Sequence, residues 1–180
     1  MKHSIKALLL SVVLLTACDN SDFTYSSYHC NFTFDNSTHL DITLASAMNP
    51  VVKGVFCRVK YQLKSGAKYF VFENNQGAKS EKIFNAVDDR RQSEHHIGMN
   101  NGLIVGYSAY SNTFLAYDDE CPDCFDYNAI PVKSYKLTLS TSGIATCNTC
   151  HRQFDLNSEG CGLTRYRASS SGEFGILSVY

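Results

Sequence analysis

The chain has 180 residues, a length that suits one ordinary domain. Its 44% hydrophobic and 18% charged residues, with only three prolines, are typical of a folded globular protein and exclude intrinsic disorder, collagen and a coiled coil. The formal net charge of −1 provides no positive field for nucleic acid, so nucleic-acid binding is not expected.

The amino terminus has the pattern of an export signal. Lys2 and Lys6 precede an apolar run over residues 7–15, which is too short to span about 30 Å of hydrocarbon. We therefore interpret residues 1–17 as a signal peptide and not as a transmembrane helix.

The end of this signal, Leu15-Thr-Ala-Cys18, resembles the lipobox of bacterial lipoproteins. The resemblance implies that the Cys18 thiol is diacylglycerated, that the chain is cut before Cys18 and that the new amino group is acylated. Several acyl chains anchor a protein stably, and a plain cleaved signal is the alternative. We expect a lipid-anchored protein of the bacterial cell envelope, on the periplasmic or the outer face, with residues 18–27 as a polar tether.

Residues 28–180 are expected to form one all-β domain, because apolar residues recur mainly with period two. The alternation is clear around Phe32 and Phe34 and again around Val55, Cys57 and Val59. Further strands, bounded by turn-forming residues, are predicted over 69–72, 103–107, 113–117, 135–139, 163–167 and 176–180. Short helices are predicted over 43–48 and 81–89, and the pattern as a whole indicates a sandwich or barrel.

Four of the eight cysteines form two C-x-x-C pairs, Cys121/Cys124 and Cys147/Cys150. Two residues between ligands bring successive sulfurs about 3.5–4 Å apart, as four ligands at about 2.3 Å from one zinc ion require. The stretch 135–146 predicts a hairpin that returns the second pair to the first. The spacing therefore predicts a metal-binding subdomain over about 119–160, with one metal centre held by these four cysteines.

The surroundings of both pairs resemble Rieske iron–sulfur domains. Cys147-Asn-Thr-Cys150-His151-Arg-Gln-Phe-Asp-Leu-Asn-Ser-Glu-Gly160 is similar to their second cluster box, C-x-x-H-G-x-x-F-D-x-x-x-G. Tyr117-Asp-Asp-Glu-Cys121-Pro is similar to the approach to their first box, C-x-H. The resemblance covers roughly residues 102–180 and implies a Rieske-like barrel or sandwich with an inserted metal-binding β-subdomain.

Where the Rieske pattern has its two histidines, this chain has Asp123 followed by Cys124, and Cys150 followed by His151. An all-cysteine set would lower the potential of a [2Fe–2S] centre, and it suits zinc equally well. The signal lacks the Arg-Arg pair by which folded cluster proteins are exported, which favours zinc acquired outside the cell over a [2Fe–2S] cluster. In an oxidising envelope the third alternative is two disulfides, one within each pair.

Several other cysteines and histidines need an interpretation. His151, beside Cys150, is interpreted as a hydrogen-bond donor to a thiolate or as an alternative ligand. Cys30 and Cys57 occupy inward strand positions and form either a structural disulfide or two buried thiols. Cys161 is left over, and it is either free or paired with one of these two cysteines. The remaining histidines of the body are interpreted as solvated side chains, namely His29, His39, His95 and His96.

No catalytic residue is assigned, because no Ser-His-Asp set, acidic pair or phosphate-binding glycine loop is visible. The C-P-D-C pair resembles the active pair of thioredoxin-like oxidoreductases, but residues 125–131 lack helical periodicity. We expect a structural-metal binding or scaffold module of the envelope. A [2Fe–2S] electron-transfer protein and a thiol–disulfide oxidoreductase are the alternatives. The expected partners are the membrane, through the lipid anchor, and an envelope protein.

Overall fold

The computed structural model describes residues 29–180. The predicted signal peptide, the lipidation site Cys18 and the tether lie outside the described residues. In the described part of the chain most regular structure is β-strand and the helices are short, which confirms the all-β prediction. None of the helices between residues 29 and 180 is long and apolar enough to cross a membrane.

The elements are numbered in chain order. They are β1 (Phe32–Asp35), α1 (Asn36–His39), α2 (Ile42–Met48), β2 (Phe56–Lys64), β3 (Ala67–Asn74), β4 (Lys79–Ile83), α3 (Ala86–Arg91) with a 3₁₀ turn (Gln92–Glu94), β5 (Leu103–Tyr107), β6 (Phe114–Asp118), β7 (Thr138–Leu139), β8 (Ile144–Thr146), β9 (Gln153–Asp155), β10 (Arg165–Tyr166), β11 (Ala168–Ser170) and β12 (Ile176–Val179).

A six-stranded antiparallel sheet in the order β10-β6-β5-β2-β3-β4 forms the central layer. A three-stranded sheet, β1-β12-β11, and the helix α2 cover one of its faces. Because side chains alternate along a strand, Cys57, Val59 and Phe72 point to this face. They pack there with apolar residues of the covering elements, among them Phe32, Phe34, Leu44, Met48 and Leu177.

The opposite face of the central sheet is covered by one long excursion of the chain. β6 and β10 are neighbours in the sheet, yet residues 119–164 lie between them in sequence. We call this excursion the cysteine lobe. It contains the small antiparallel sheet β7-β8-β9. Its apolar side chains Leu137, Ala145, Phe154 and Leu156 pack on Phe56, Ile104, Leu115 and Tyr117 of the central sheet.

The predicted helix over residues 81–89 is wrong in its first half. Residues 79–83 pair with β3 as the edge strand β4, and the helix α3 begins only at Ala86. Asn85 caps this helix, and with Asp88 it forms a reciprocal capping box. Pairing with β3 satisfies the backbone of residues 79–83, and the cap fixes the start of the helix. The predicted helix over 43–48 is confirmed as α2, which Asp41 caps.

Candidate metal centre

The first cysteine pair forms a tight turn just beyond the end of β6. The backbone N–H groups of Cys124 and Phe125 both donate to the carbonyl of Cys121, at 3.2 and 2.9 Å. The N–H of Cys121 donates to the carbonyl of Tyr135 at 3.0 Å, which joins the turn to the segment leading to β7. Both ends of the turn are therefore fixed by backbone hydrogen bonds.

The second pair forms a similar turn between β8 and β9. His151 N donates to the carbonyl of Cys147 at 2.9 Å, and Cys147 N donates to the carbonyl of Arg152 at 3.0 Å. His151 has a φ of 59°, in the left-handed region that L-residues rarely adopt. This residue reverses the chain, so that β9 returns alongside β8.

The two turns bring their four sulfur atoms to one point. All four Sγ atoms of Cys121, Cys124, Cys147 and Cys150 lie within 4.8 Å of one another. The contacts between turns are close, with 3.7 Å between Cys121 and Cys150 and 3.9 Å between Cys147 and Cys124. Four sulfurs at about 2.3 Å from one tetrahedral ion lie roughly 3.8 Å apart. The four cysteines together can therefore hold one metal ion.

Backbone N–H groups inside each turn stabilise thiolates. Burial raises the pKa of Cys121, and hydrogen bonds from the N–H groups of Asp123 and Cys124 oppose this effect. Burial also acts to raise the pKa of Cys147, but N–H groups of Cys150 and Thr149 and neighbouring thiols lower it to about 7. By contrast, burial and the neighbouring thiols raise the pKa of Cys124 to about 12. A bound cation would favour the ionised form of all four sulfurs.

Three consecutive buried carboxylates, Asp118, Asp119 and Glu120, lead from the central sheet into the first turn. The Nε–H of Arg58 on β2 donates to Asp119 at 2.9 Å, and the guanidinium also donates to the carbonyl of Leu137 in the cysteine lobe. Lys136 pairs with Glu120 at 3.1 Å. We call these five side chains the acid–base frame.

Each carboxylate of the frame has its own set of donors. Asp118 accepts from the N–H of Met99 at 2.6 Å and from the hydroxyl of Tyr166 at 2.9 Å. Burial nevertheless raises the pKa of Asp118. Burial likewise raises the pKa of Asp119 to about 6, against the opposing charges of Arg58 and Lys136.

Glu120 behaves in the opposite way. Burial acts to raise its pKa, but hydrogen bonds from Ser134, Asn100 and the N–H of Tyr135 outweigh burial, so the pKa of Glu120 is lowered. This carboxylate lies directly before Cys121. Its donors come from both the central domain and the cysteine lobe, so Glu120 links the two.

Sequence reasoning missed this frame. The run Asp118-Asp119-Glu120 was visible, but an acidic run is ordinarily a solvated surface segment. Its position was a signal, because the acidic run directly follows the apolar residues 114–117 and directly precedes the predicted ligand turn at Cys121. Its basic partners Arg58 and Lys136 are distant along the chain and carry no local pattern that identifies them.

The structure also locates the other residues singled out in the sequence. Cys30 and Cys57 are both buried free thiols in the main core, and Cys30 Sγ donates to the carbonyl of His96 at 3.3 Å. A disulfide between these two cysteines stays a prediction. His151 is exposed at the second turn, and its role toward a thiolate also stays a prediction. Cys161 is a half-buried free thiol outside the four-cysteine group.

The interpretation of His39 as a solvated side chain is wrong. Its side chain is only 6% exposed, and its Nε2 lies 2.9 Å from a carboxylate oxygen of Asp88. The ring also stacks on Phe34, with ring centres 4.7 Å apart. This histidine therefore joins the β1–α1 segment to α3 within the fold.

Fold and site together define an all-β protein with a four-cysteine centre that can hold one metal ion. No protein-family model, no curated protein and no solved structure matches the chain.

The acid–base frame gives a prediction for stability. Arg58→Met leaves the buried Asp119 carboxylate without its closest cation and removes the donor to the Leu137 carbonyl. We therefore expect the free energy of unfolding to fall by about 3–5 kcal/mol. The matched control is Arg152→Met, because Arg152 pairs with Asp123 at an exposed site and such pairs contribute about 0–1 kcal/mol. Urea denaturation of the metal-loaded proteins measures both. Equal losses in the two variants would show that the frame does not fix the cysteine lobe.

Proposed function

We propose that this protein is a lipid-anchored lipoprotein of the bacterial cell envelope whose β domain carries one structural zinc ion. The observation that carries the metal centre is the convergence of four thiols, from two separate turns, within 4.8 Å. The lipobox-like Leu15-Thr-Ala-Cys18 supports the anchor.

The compact arrangement of sulfurs favours a single ion over a [2Fe–2S] cluster. Such a cluster places two thiolates on each of two irons, with bridging sulfides between them, so the two ligand pairs lie on opposite sides. Here no two sulfurs are widely separated, because all four Sγ atoms lie within 4.8 Å of one another. This spacing matches the edges of one tetrahedron.

Zinc is the metal that this donor set and this export route favour. Four thiolates form a closed tetrahedral site, which is the usual arrangement of structural zinc. The signal has no Arg-Arg pair, so the chain is expected to cross the membrane unfolded and to bind its metal afterwards.

A scaffold role is better supported than thiol–disulfide exchange. In thioredoxin-like oxidoreductases, a helix that begins at the C-x-x-C pair lowers the pKa of the first thiol. The described residues after Cys124 form a loop closed by a bridge between Asp126 and Lys133, with no helix between β6 and β7. All four thiols face each other, which suits a shared ion.

A Rieske-like relationship is part of the proposal. Its support is the insertion of the whole cysteine lobe between two neighbouring strands of the central sheet, with one C-x-x-C turn before a small β-sheet and the other between two strands of that sheet. The expected partner beyond the membrane is another envelope protein.

Metal content tests the ligand set. Single Cys→Ser variants at positions 121, 124, 147 and 150 should each lower bound zinc well below one ion per chain, as measured by elemental analysis. His151→Ala should lower the bound zinc by less than any of these four variants. Cys161→Ser is the matched control, because Cys161 is also a free, partly buried cysteine but lies outside the cluster. Full zinc content in the Cys150 variant together with loss in the His151 variant would reverse the ligand assignment. Stoichiometric iron and sulfide in the purified protein would show that the centre is an iron–sulfur cluster and not a zinc site.

Removal of the metal tests its structural role. The cysteine lobe orders about 46 residues with few large apolar side chains, against roughly 1–2 kcal/mol of backbone entropy per residue. Structural zinc can supply on the order of 10 kcal/mol to the folded state. A chelator should therefore accelerate amide exchange between residues 135 and 156, while β2 and β5 keep their protection. Equal exchange with and without chelator, in a chain shown to contain zinc, would contradict a structural role.

The anchor has its own test. Cys18→Ser should leave an unprocessed chain that incorporates no labelled fatty acid, because the thiol is the predicted acceptor of the diacylglyceryl group. Cys30→Ser serves as the control, since Cys30 is the next cysteine along the chain and lies in the folded domain. Labelling of the Cys18 variant at the wild-type level would contradict the lipobox interpretation.

A further inference from the structure

The fold brings two exposed histidines together, His29 at the start of the described chain and His96 after α3. The rings of His29 and His96 are in contact, with centres 4.8 Å apart and planes inclined by 68°. Both residues are exposed, and they belong to the side of the fold that carries Cys30 and Ile97, within the main core. The four-cysteine centre packs on the other face of the central sheet.

The backbone holds this pair in place. Asn31 and His96 form an antiparallel bridge with two hydrogen bonds, Asn31 N to His96 O at 3.1 Å and His96 N to Asn31 O at 2.8 Å. The side chain of Asn31 donates to the carbonyl of Glu94 at 3.0 Å. His29 lies two residues before Asn31, and it is exposed while Cys30 between them is buried. The two imidazoles are therefore positioned by a clamped segment.

The carbonyl of Glu94 selects one tautomer of the neutral His96 ring. Nδ1 of His96 lies 3.2 Å from the carbonyl oxygen of Glu94, and because a carbonyl only accepts, Nδ1 donates its proton there. In the neutral ring, Nε2 therefore carries the lone pair. Histidines that bind metals usually donate their other ring N–H to a backbone carbonyl or a carboxylate in this way.

The ring spacing suits one shared ion. Two imidazoles bound to the same ion at about 2.0–2.1 Å have ring centres roughly 4.5–5.2 Å apart, for angles at the metal between about 90° and 110°. The observed 4.8 Å falls in this interval. Imidazole nitrogen suits the borderline divalent ions zinc, copper and nickel.

We propose that His29 and His96 form a second metal site, a surface bis-imidazole site for a divalent transition-metal ion with solvent in the remaining positions. This site is separate from the four-cysteine centre in place and in ligand type, so it does not depend on the identity of the metal there.

Calorimetric titration with NiCl₂ tests the site, because nickel(II) binds imidazole without oxidising thiols. The protein is the full chain in detergent, without a polyhistidine tag and with its cysteine centre loaded with zinc. Every sample carries His3→Gln, so that any chain that keeps the predicted signal peptide offers nickel no imidazole at Met1-Lys-His3. We expect one nickel ion to bind per chain.

His29→Ala and His96→Ala should each weaken nickel binding at least about tenfold, since loss of an outer partner of a ligand already costs about 10–100-fold. The matched control is His95→Gln. His95 adjoins His96, but its ring packs on Phe32 with centres 5.5 Å apart, so this variant should keep its nickel affinity within about twofold. Unchanged affinity in either His29→Ala or His96→Ala would overturn the proposal. Thiolate-to-nickel charge-transfer absorption that both variants retain would also overturn it, because the nickel would then lie in the cysteine centre.

Discussion

The burial of three consecutive carboxylates at the exit from β6 is the constraint on which the rest of the architecture depends. A buried carboxylate without partners costs several kcal/mol, so Asp118, Asp119 and Glu120 are tolerated only in the arrangement that supplies their donors. Arg58 from the central sheet and Lys136 from the cysteine lobe supply charge, and Tyr166 and Asn100 supply hydrogen bonds. Cys121 follows directly, so the frame determines where the first ligand turn begins.

The cysteine lobe then depends on two kinds of crosslink. Its apolar contribution to the core is small, and its strands β7, β8 and β9 have only two or three residues each. The frame attaches the lobe to the central sheet, and the four thiols connect its two turns to each other. The exposed pair between Arg152 and Asp123 also joins the turns, but a solvated ion pair contributes little. A metal ion held by the four thiols would be the stronger link between the turns.

Parts of this structure could be predicted because their signals are local. A short apolar run bounded by turn-forming residues placed β5 at residues 103–107, and the two C-x-x-C pairs identified all four members of the thiol cluster. The helix over residues 81–89 was mispredicted because the spacing of Ile83, Phe84 and Val87 suits a helix. Pairing with β3 is a contact between distant segments, and it decided the conformation of residues 79–83 instead. The strands β9 and β11 were missed because three-residue strands such as Gln153–Asp155 are too short to show a period.

The sequence by itself determined the all-β class and the four cysteines that meet, since each depends on spacing over a few residues. Only the tertiary structure decided which charged and polar side chains are buried and which histidines meet. Arg58 and Asp119 are 61 residues apart, and His29 and His96 are 67 apart. No local periodicity encodes such pairs, because they form only when sheet pairing and core packing bring distant segments to one place.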